Sequence, residues 1–211
     1  PAFGLDGAYA GYRAFGDHIE SFIGHRTLYG YADSDPTRSS AVAAGDYMTA
    51  AYGLFATLAA VMHRDATGEG QLIEIAQAES SAHIVTPAIM DYVLNREIQG
   101  PMGNHDPQGF APNGAFRCAG DDRWVAITVT TDAEWRAMCV VMARPELAGD
   151  ERFVTFAARE AHQDDLETIV GEWTAGLSAE EAMQRLQAAG IAAGPVMHGK
   201  DALESPQLRE R

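Results

Sequence analysis

Cysteine is nearly missing: 211 residues hold two, Cys118 and Cys139. So few exclude a disulfide scaffold, and a reducing cytoplasm is the default expectation. Both lie in apolar surroundings and read as core fillers, since neither has the electropositive neighbourhood of a reactive thiol. Basic residues are also few. Lys plus Arg is 15 against 30 Asp plus Glu, a formal charge of −15. That balance argues against nucleic acid and anionic membrane as partners, because both need a basic face. No apolar run approaches the ~18 residues of a membrane span. No signal peptide, internal repeat or low-complexity tract is found. The chain opens on Pro1 rather than Met and closes on Leu208-Arg209-Glu210-Arg211, so both ends read as cut.

What is present suits a globular fold. The apolar fraction is 46%, an ordinary value, and the length allows a real core in one domain or two. The organising stretch covers residues 40–76. Small residues lead to Gly45-Asp46. An apolar-periodic segment over 46–63 then places Met48, Ala51, Leu54, Phe55, Leu58, Ala59 and Met62 on one broad stripe, which predicts a buried or half-buried helix. Arg64-Asp65-Ala66-Thr67-Gly68-Glu69-Gly70 reads as a turn, and residues 71–75 as a short strand. Residues 78–96 predict a second helix, broken near Pro87. Helix, strand and helix in this order suggest an α/β layer.

Asp46 opens the first of these helices. It reads as an N-cap, where Asp is among the favoured residues. It also reads as a nucleophile. The partial positive charge at a helix start holds a carboxylate ionised, and nearby N–H groups can receive a developing oxyanion. Spacing does not choose between the two, and they are compatible.

Upstream, residues 12–23 predict a helix carrying Arg13, Asp17, His18 and Glu20, with His18 on a polar face. Residues 26–40 read as a polar loop with Gly30 and Pro36. Residues 99–114, QGPMGNHDPQGFAPNG, form a turn-rich Gly/Pro loop that serves as an interdomain connector or brings backbone close to a ligand. His105-Asp106 has no spaced partner, so no metal site is assigned. Strands follow at 115–118 and 123–129 with a hairpin turn between them. A helix capped by Asp132 runs to Met142, and helices are expected near 156–161 and 164–175. Ser178 with Glu181 makes a capping box for a helix ending at Gly190. Residues 191–197, with Gly194-Pro195 inside, read as an edge strand. Trp124, Trp135 and Trp173 fall at core positions.

Gly45-Asp46 opening a long helix, then Arg64, Thr67, Gly68, Gly70 and Gln71, then Glu79, resemble the family III CoA-transferases. That family includes formyl-CoA transferase, carnitine CoA-transferase and the 2-methylacyl-CoA racemases. The resemblance continues, more loosely, over the whole chain. The second half is similar to the family's smaller domain: hairpin, Trp-bearing helix, Asp150-Glu151-Arg152-Phe153, and the Gly194-Pro195 strand.

The resemblance implies an α/β fold. Residues 1–98 are part of a large Rossmann-like domain, 99–114 are a linker loop, and 115–211 are a small α+β domain. Full-length members are longer and form interlocked homodimers, so this chain alone is expected to be inactive. The implied activity is transfer of coenzyme A between an acyl-CoA and a carboxylic acid, with Asp46 forming the covalent intermediate. Arg13, Ala14 and Phe15 match a coenzyme-contacting segment, although Arg13 on its own reads equally as a solvated charge. Gly103, Asn104 and Gly109 match a loop over the acyl site. Two alternatives remain. One is a racemase, which needs a catalytic His where this chain has Asp17. The other is a truncated, non-catalytic binding or assembly subunit.

Overall fold

The computed structural model describes residues 1–33, 35 and 44–211. They form two compact units, Pro1–Gly103 and Asn104–Arg211. The chain is a mixed α/β protein whose sheet, small and antiparallel, lies in the second unit.

The first unit is helical among its described residues: α1 (Gly16–Phe22), α2 (His25–Leu28), α3 (Ala44–Thr67), α4 (Gln77–Ser81), a 3-10 turn (Ala82–Val85) and α5 (Thr86–Asn95). The helix expected from residue 12 starts only at Gly16. There His18 Nδ1 accepts from the Phe15 N–H at 3.1 Å and caps it. The polar loop expected over 26–40 begins inside α2, and Pro36 lies outside the described residues. α5 begins afresh with Pro87 in its first turn, where a missing N–H costs nothing. The interruption expected at that proline is therefore the boundary between two helices.

α3 is longer than its apolar pattern predicts. Arg64 to Thr67 remain helical, and the chain leaves the helix at Gly68 (φ +81°), whose N–H bonds Arg64 O at 2.7 Å. A left-handed residue at this position favours glycine. The face that α3 buries is also not the predicted one. Phe55 is 74% exposed and Met62 72%, and Leu54 and Leu58 are exposed as well. The contact falls instead on a row of small residues, with Gly45 the one buried residue of the helix. A Cβ on Gly45 would overlap Ser81 Oγ and lie 3.2 Å from Ser81 Cβ. A Cβ on Gly53 would lie 3.8 Å from Ile75 Cδ1. α3 is apolar on more than one side, and the side without bulk allows the closest backbone approach to α4.

Residues 71–75 are not a strand. Their backbone finds no ladder partner among the described residues, and Leu72 is exposed. A strand exists only through pairing. The N-terminal residues pass alongside but spend their carbonyls on the free first-turn donors of α4. Gln77 N–H bonds Pro1 O at 3.0 Å and Ala78 N–H bonds Ala2 O at 2.9 Å. The expected β layer in this half is accordingly absent among the described residues.

In the second unit β1 (Asn113–Arg117) and β2 (Trp124–Thr128) form the expected hairpin. β3 (Ala192–Pro195) pairs antiparallel on the other side of β2, giving the order β1-β2-β3. β3 is thus an edge strand, which tolerates Pro195. Alternation holds: Val125, Ile127 and Val129 are buried. They pack with Trp135, Met138, Leu166, Val170, Ala182 and Leu186 from α6 (Asp132–Val141), α8 (Gln163–Thr174) and α9 (Ala179–Ala188). The remaining helices are α7 (Phe156–Ala161), α10 (Gly199–Glu204) and α11 (Pro206–Arg209). The cap of α6 is Thr131 rather than Asp132, with Glu134 N–H bonding Thr131 Oγ1 at 3.2 Å. Ser178 caps α9 at 3.1 Å from Glu181 N, while the Glu181 carboxylate pairs with Arg185 instead of closing the box. Cys118 and Cys139 are buried. Burial raises both thiol pKa values, that of Cys139 to about 11, so neither carries a useful thiolate fraction.

One charged side chain sits inside this core. Arg159 is fully buried. Its Nε donates to Ala111 O at 3.0 Å and its Nη1 to Phe153 O at 3.1 Å. Nη2 lies 2.9 Å from Asp132 Oδ1, an ion-pair contact whose angle falls short of a hydrogen bond. The planar fork ties the chain before β1, the loop after α6 and the start of α6 together, as a flexible ammonium could not.

Two outcomes follow from this packing. Arg159→Ala strands two buried carbonyls and leaves the space of a fully buried side chain, and should cost about 3–5 kcal/mol. Thermal denaturation should register this as a fall of roughly 10 °C or more; an unchanged midpoint would show that the fork carries no load. Gly45→Ala should cost about 1–3 kcal/mol through overpacking. Gly53→Ala should be neutral or stabilise by up to about 1 kcal/mol, since Ala is the better helix former. Urea titration of the pair tests this, and equal effects would contradict the packing assigned to α3.

Candidate active site

The start of α3 gathers the polar groups of the first unit. Helix dipole and sequence both put an acid here, but Asp46 is not the cap. The helix begins at Ala44, so Asp46 is its third residue, and its side chain is exposed. A first-turn donor is served from another element. Glu20, buried on α1, accepts from the Ala44 N–H through Oε1 at 2.9 Å. Asp46 stands in the first turn of α3 with its carboxylate open to solvent.

Its direct partner is Gln77, the first residue of α4, whose Nε2 donates to Asp46 Oδ1. Sequence reading missed Gln77, although chain lengths could have indicated it. From Asp46 to the end of α3 the helix rises about 30 Å at ~1.5 Å per residue. Residues 68–76, extended, span about 30 Å in return at ~3.3 Å per residue. The next helix therefore starts level with Asp46. Beneath the pair, Thr49 Oγ1 and Ser80 Oγ are 2.6 Å apart. Ser81 Oγ is fully buried against Gly45 and has no hydrogen-bond partner.

Asp17 pairs with Arg26 at 3.0 Å. Neighbouring His18 is occupied as the α1 cap. Arg13 is exposed in the non-helical approach to α1, with no hydrogen bond or ion pair among the described residues. Ala14 is half-buried and Phe15 is 80% exposed.

The loop candidates have local explanations. In the first unit Gly103 (φ +65°) bonds Gly30 O through its N–H at 2.9 Å, and a Cβ there would lie 2.5 Å from the Tyr31 ring. In the second, Asn104 O accepts from Asn113 Nδ2 at 2.6 Å. Gly109 (φ +80°) closes a turn on Asp106 O at 2.9 Å, with the Glu160 carboxyl 2.7 Å from where its Cβ would be. Among the described residues no group of three or more His, Cys, Asp or Glu side chains is arranged to hold a metal, and no helix is long and apolar enough to cross a membrane.

The comparisons with known proteins agree on one family. Residues 1–211 match the family described as CoA-transferase family III. A probable CoA-transferase of Mycobacterium tuberculosis is 32% identical over 216 aligned positions, which cover 100% of this chain and 27% of that protein. The succinyl-CoA–D-citramalate CoA-transferase of Chloroflexus aurantiacus is 30% identical over 209, covering 99% of this chain and 51% of that protein. A CaiB/BaiF family protein of Brucella suis, solved by crystallography, superposes with a TM-score of 0.87 at 28% identity, over 100% of this chain and 55% of the other. The chain thus spans about half or less of the length of these relatives. On the match of its whole length, the chain belongs to CoA-transferase family III.

Proposed function

We propose that the protein carrying this chain moves coenzyme A from an acyl-CoA to a carboxylic acid through Asp46. The observation that carries this reading is an exposed carboxylate in the first turn of a long helix, held by Gln77.

The Asp46 carboxylate oxygen attacks the thioester carbonyl. A C–O bond forms, the C–S bond breaks, and coenzyme A leaves as thiolate, giving a mixed acyl anhydride. The thiolate attacks the Asp46 carbonyl, releasing the first acid and leaving an aspartyl thioester. The acceptor carboxylate attacks that thioester, and the thiolate then takes the acceptor's acyl carbon, which regenerates Asp46. Each step exchanges one acyl bond for another, so no external water or redox partner is needed, and one hard transfer is split into easier ones. Gln77 holds the attacking carboxylate in place through its side-chain amide. Arg13, exposed and uncommitted, is suited to a coenzyme phosphate, with Ala14 and Phe15 beside it. Gly103, Asn104 and Gly109 are proposed to border the acyl group.

The transferase is favoured over the racemase because Asp17, at the position where the racemase needs His, is engaged by Arg26. The remaining family features belong to the same proposal: a completed Rossmann-like large domain, an interlocked homodimer and a cytoplasmic setting. The exposed apolar side of α3 supports a requirement for further structure, and these 211 residues alone should show no CoA transfer. Ready transfer by the isolated chain would contradict this.

Asp46→Asn in the full-length protein keeps size and tolerates the helix start, yet loses the nucleophile. Transfer from succinyl-CoA should fall by about three orders of magnitude or more, as when covalent catalysis is removed. Wild type incubated with succinyl-CoA and then hydroxylamine should carry a hydroxamate at Asp46 by peptide mass spectrometry. Near-normal transfer by the variant, or a label on another carboxylate, would overturn the assignment. Exchange of the 2-hydrogen of a branched acyl-CoA without any transfer would establish the racemase instead.

A further inference from the structure

We infer that Glu20 is a positioning residue for the acyl transfer, acting on Asp46 through the backbone of Ala44. The inference rests on Asp46 being the nucleophile.

Glu20 is 2% exposed, and a buried carboxylate needs strong reasons to be there. Its neighbour on α1, Ile19, is fully buried. The hydrogen bond it receives from Ala44 N–H is 2.9 Å long and joins residues 24 apart in sequence. Among the described residues the nearest basic atom, His25 Nδ1, is 4.0 Å away, beyond hydrogen-bond reach, and that nitrogen has no hydrogen-bond partner there. Glu20 is therefore oriented chiefly by the start of α3. A fold needing only a cap obtains one from a Ser, Thr, Asp or Asn next to the helix. Here an acceptor for the Ala44 N–H is delivered from a separate helix, two residues before the proposed nucleophile.

That placement does two things. It registers the first turn of α3 on α1, while Gly45 against Ser81 registers the same turn on α4 and Gln77 takes the carboxylate itself. Three contacts from two elements thus define where the Asp46 oxygens sit. It also supplies a buried acceptor to the Ala44 N–H, so this first-turn donor is paired and the turn is held where it lies. Without it, the start of α3 loses its tie to α1 and the Asp46 carboxylate shifts with it.

The acceptor oxygen and the side-chain length should matter, and the charge should not. In the full-length protein with succinyl-CoA, Glu20→Gln keeps both oxygen and reach, and should retain kcat within about threefold. Glu20→Asp withdraws the oxygen by one methylene and Glu20→Ala removes it. Both should lower kcat by about 10- to 100-fold, the scale of an ångström-sized misplacement. The KM for the acyl-CoA should stay within about twofold, because ground-state binding does not use Asp46. The hydroxylamine-trapped hydroxamate at Asp46 should form more slowly in the same proportion as kcat. Should Glu20→Ala fail to fold, the Gln and Asp variants decide. Wild-type kcat in Glu20→Asp, an effect confined to KM or to the folded fraction, or a Gln variant as slow as the Asp variant would overturn the positioning role while leaving the Asp46 label intact. Absence of that label from wild type would overturn the nucleophile assignment and this inference with it.

Discussion

The first unit depends on an absence, the missing Cβ at Gly45. Because nothing projects there, the start of α3 lies against Ser81, and α4 begins level with the first turn of α3. Gln77 can then reach Asp46, and the Thr49–Ser80 contact closes beneath. A side chain at Gly45 would separate the helices and move the carboxylate and its amide partner apart. Close packing and chemistry are the same contact seen from its two sides. The small residues of α3 are spent on α4 and on the stretch that leads into it, and its large apolar residues remain exposed.

The second unit is organised differently. A three-stranded sheet supplies one apolar face, helices α6, α8 and α9 cover it, and Arg159 ties three chain segments that the sheet does not connect. Nothing in that core is suited to nucleophilic chemistry. Its two thiols are buried, with pKa values raised by that burial. The reactive groups of the proposed mechanism accordingly come from the helical unit.

The parts of this fold legible in sequence were those with a local cause. Alternation at Val125, Ile127 and Val129 gave β2, Ser178 gave the start of α9, and Pro87 gave the break before α5. Where the cause was a distant partner, the reading failed. Residues 71–75 have strand-like alternation but no strand to pair with among the described residues. The large apolar residues of α3 predict one buried stripe, whereas the contact falls where side chains are smallest. Asp46 is recognisable by type and place, but the acceptor that holds its helix start, Glu20, lies 24 positions from Ala44. Gln77 and Glu20 carried no motif. Their roles arise from the return of the chain after α3 and from the packing of α1, which are properties of the folded unit.

The central claim is that an oxygen of Asp46 passes through the acyl anhydride. Full-length protein turning over succinyl-CoA with an acceptor acid carrying heavy oxygen in its carboxylate offers the direct measurement. The acceptor's oxygen remains on the aspartate when the thiolate removes the acyl carbon, so the peptide containing Asp46 should gain heavy oxygen with turnover. Fragmentation should assign it to the Asp46 side chain. Continued transfer with no heavy oxygen on Asp46, or with it on a different carboxylate, would contradict the account.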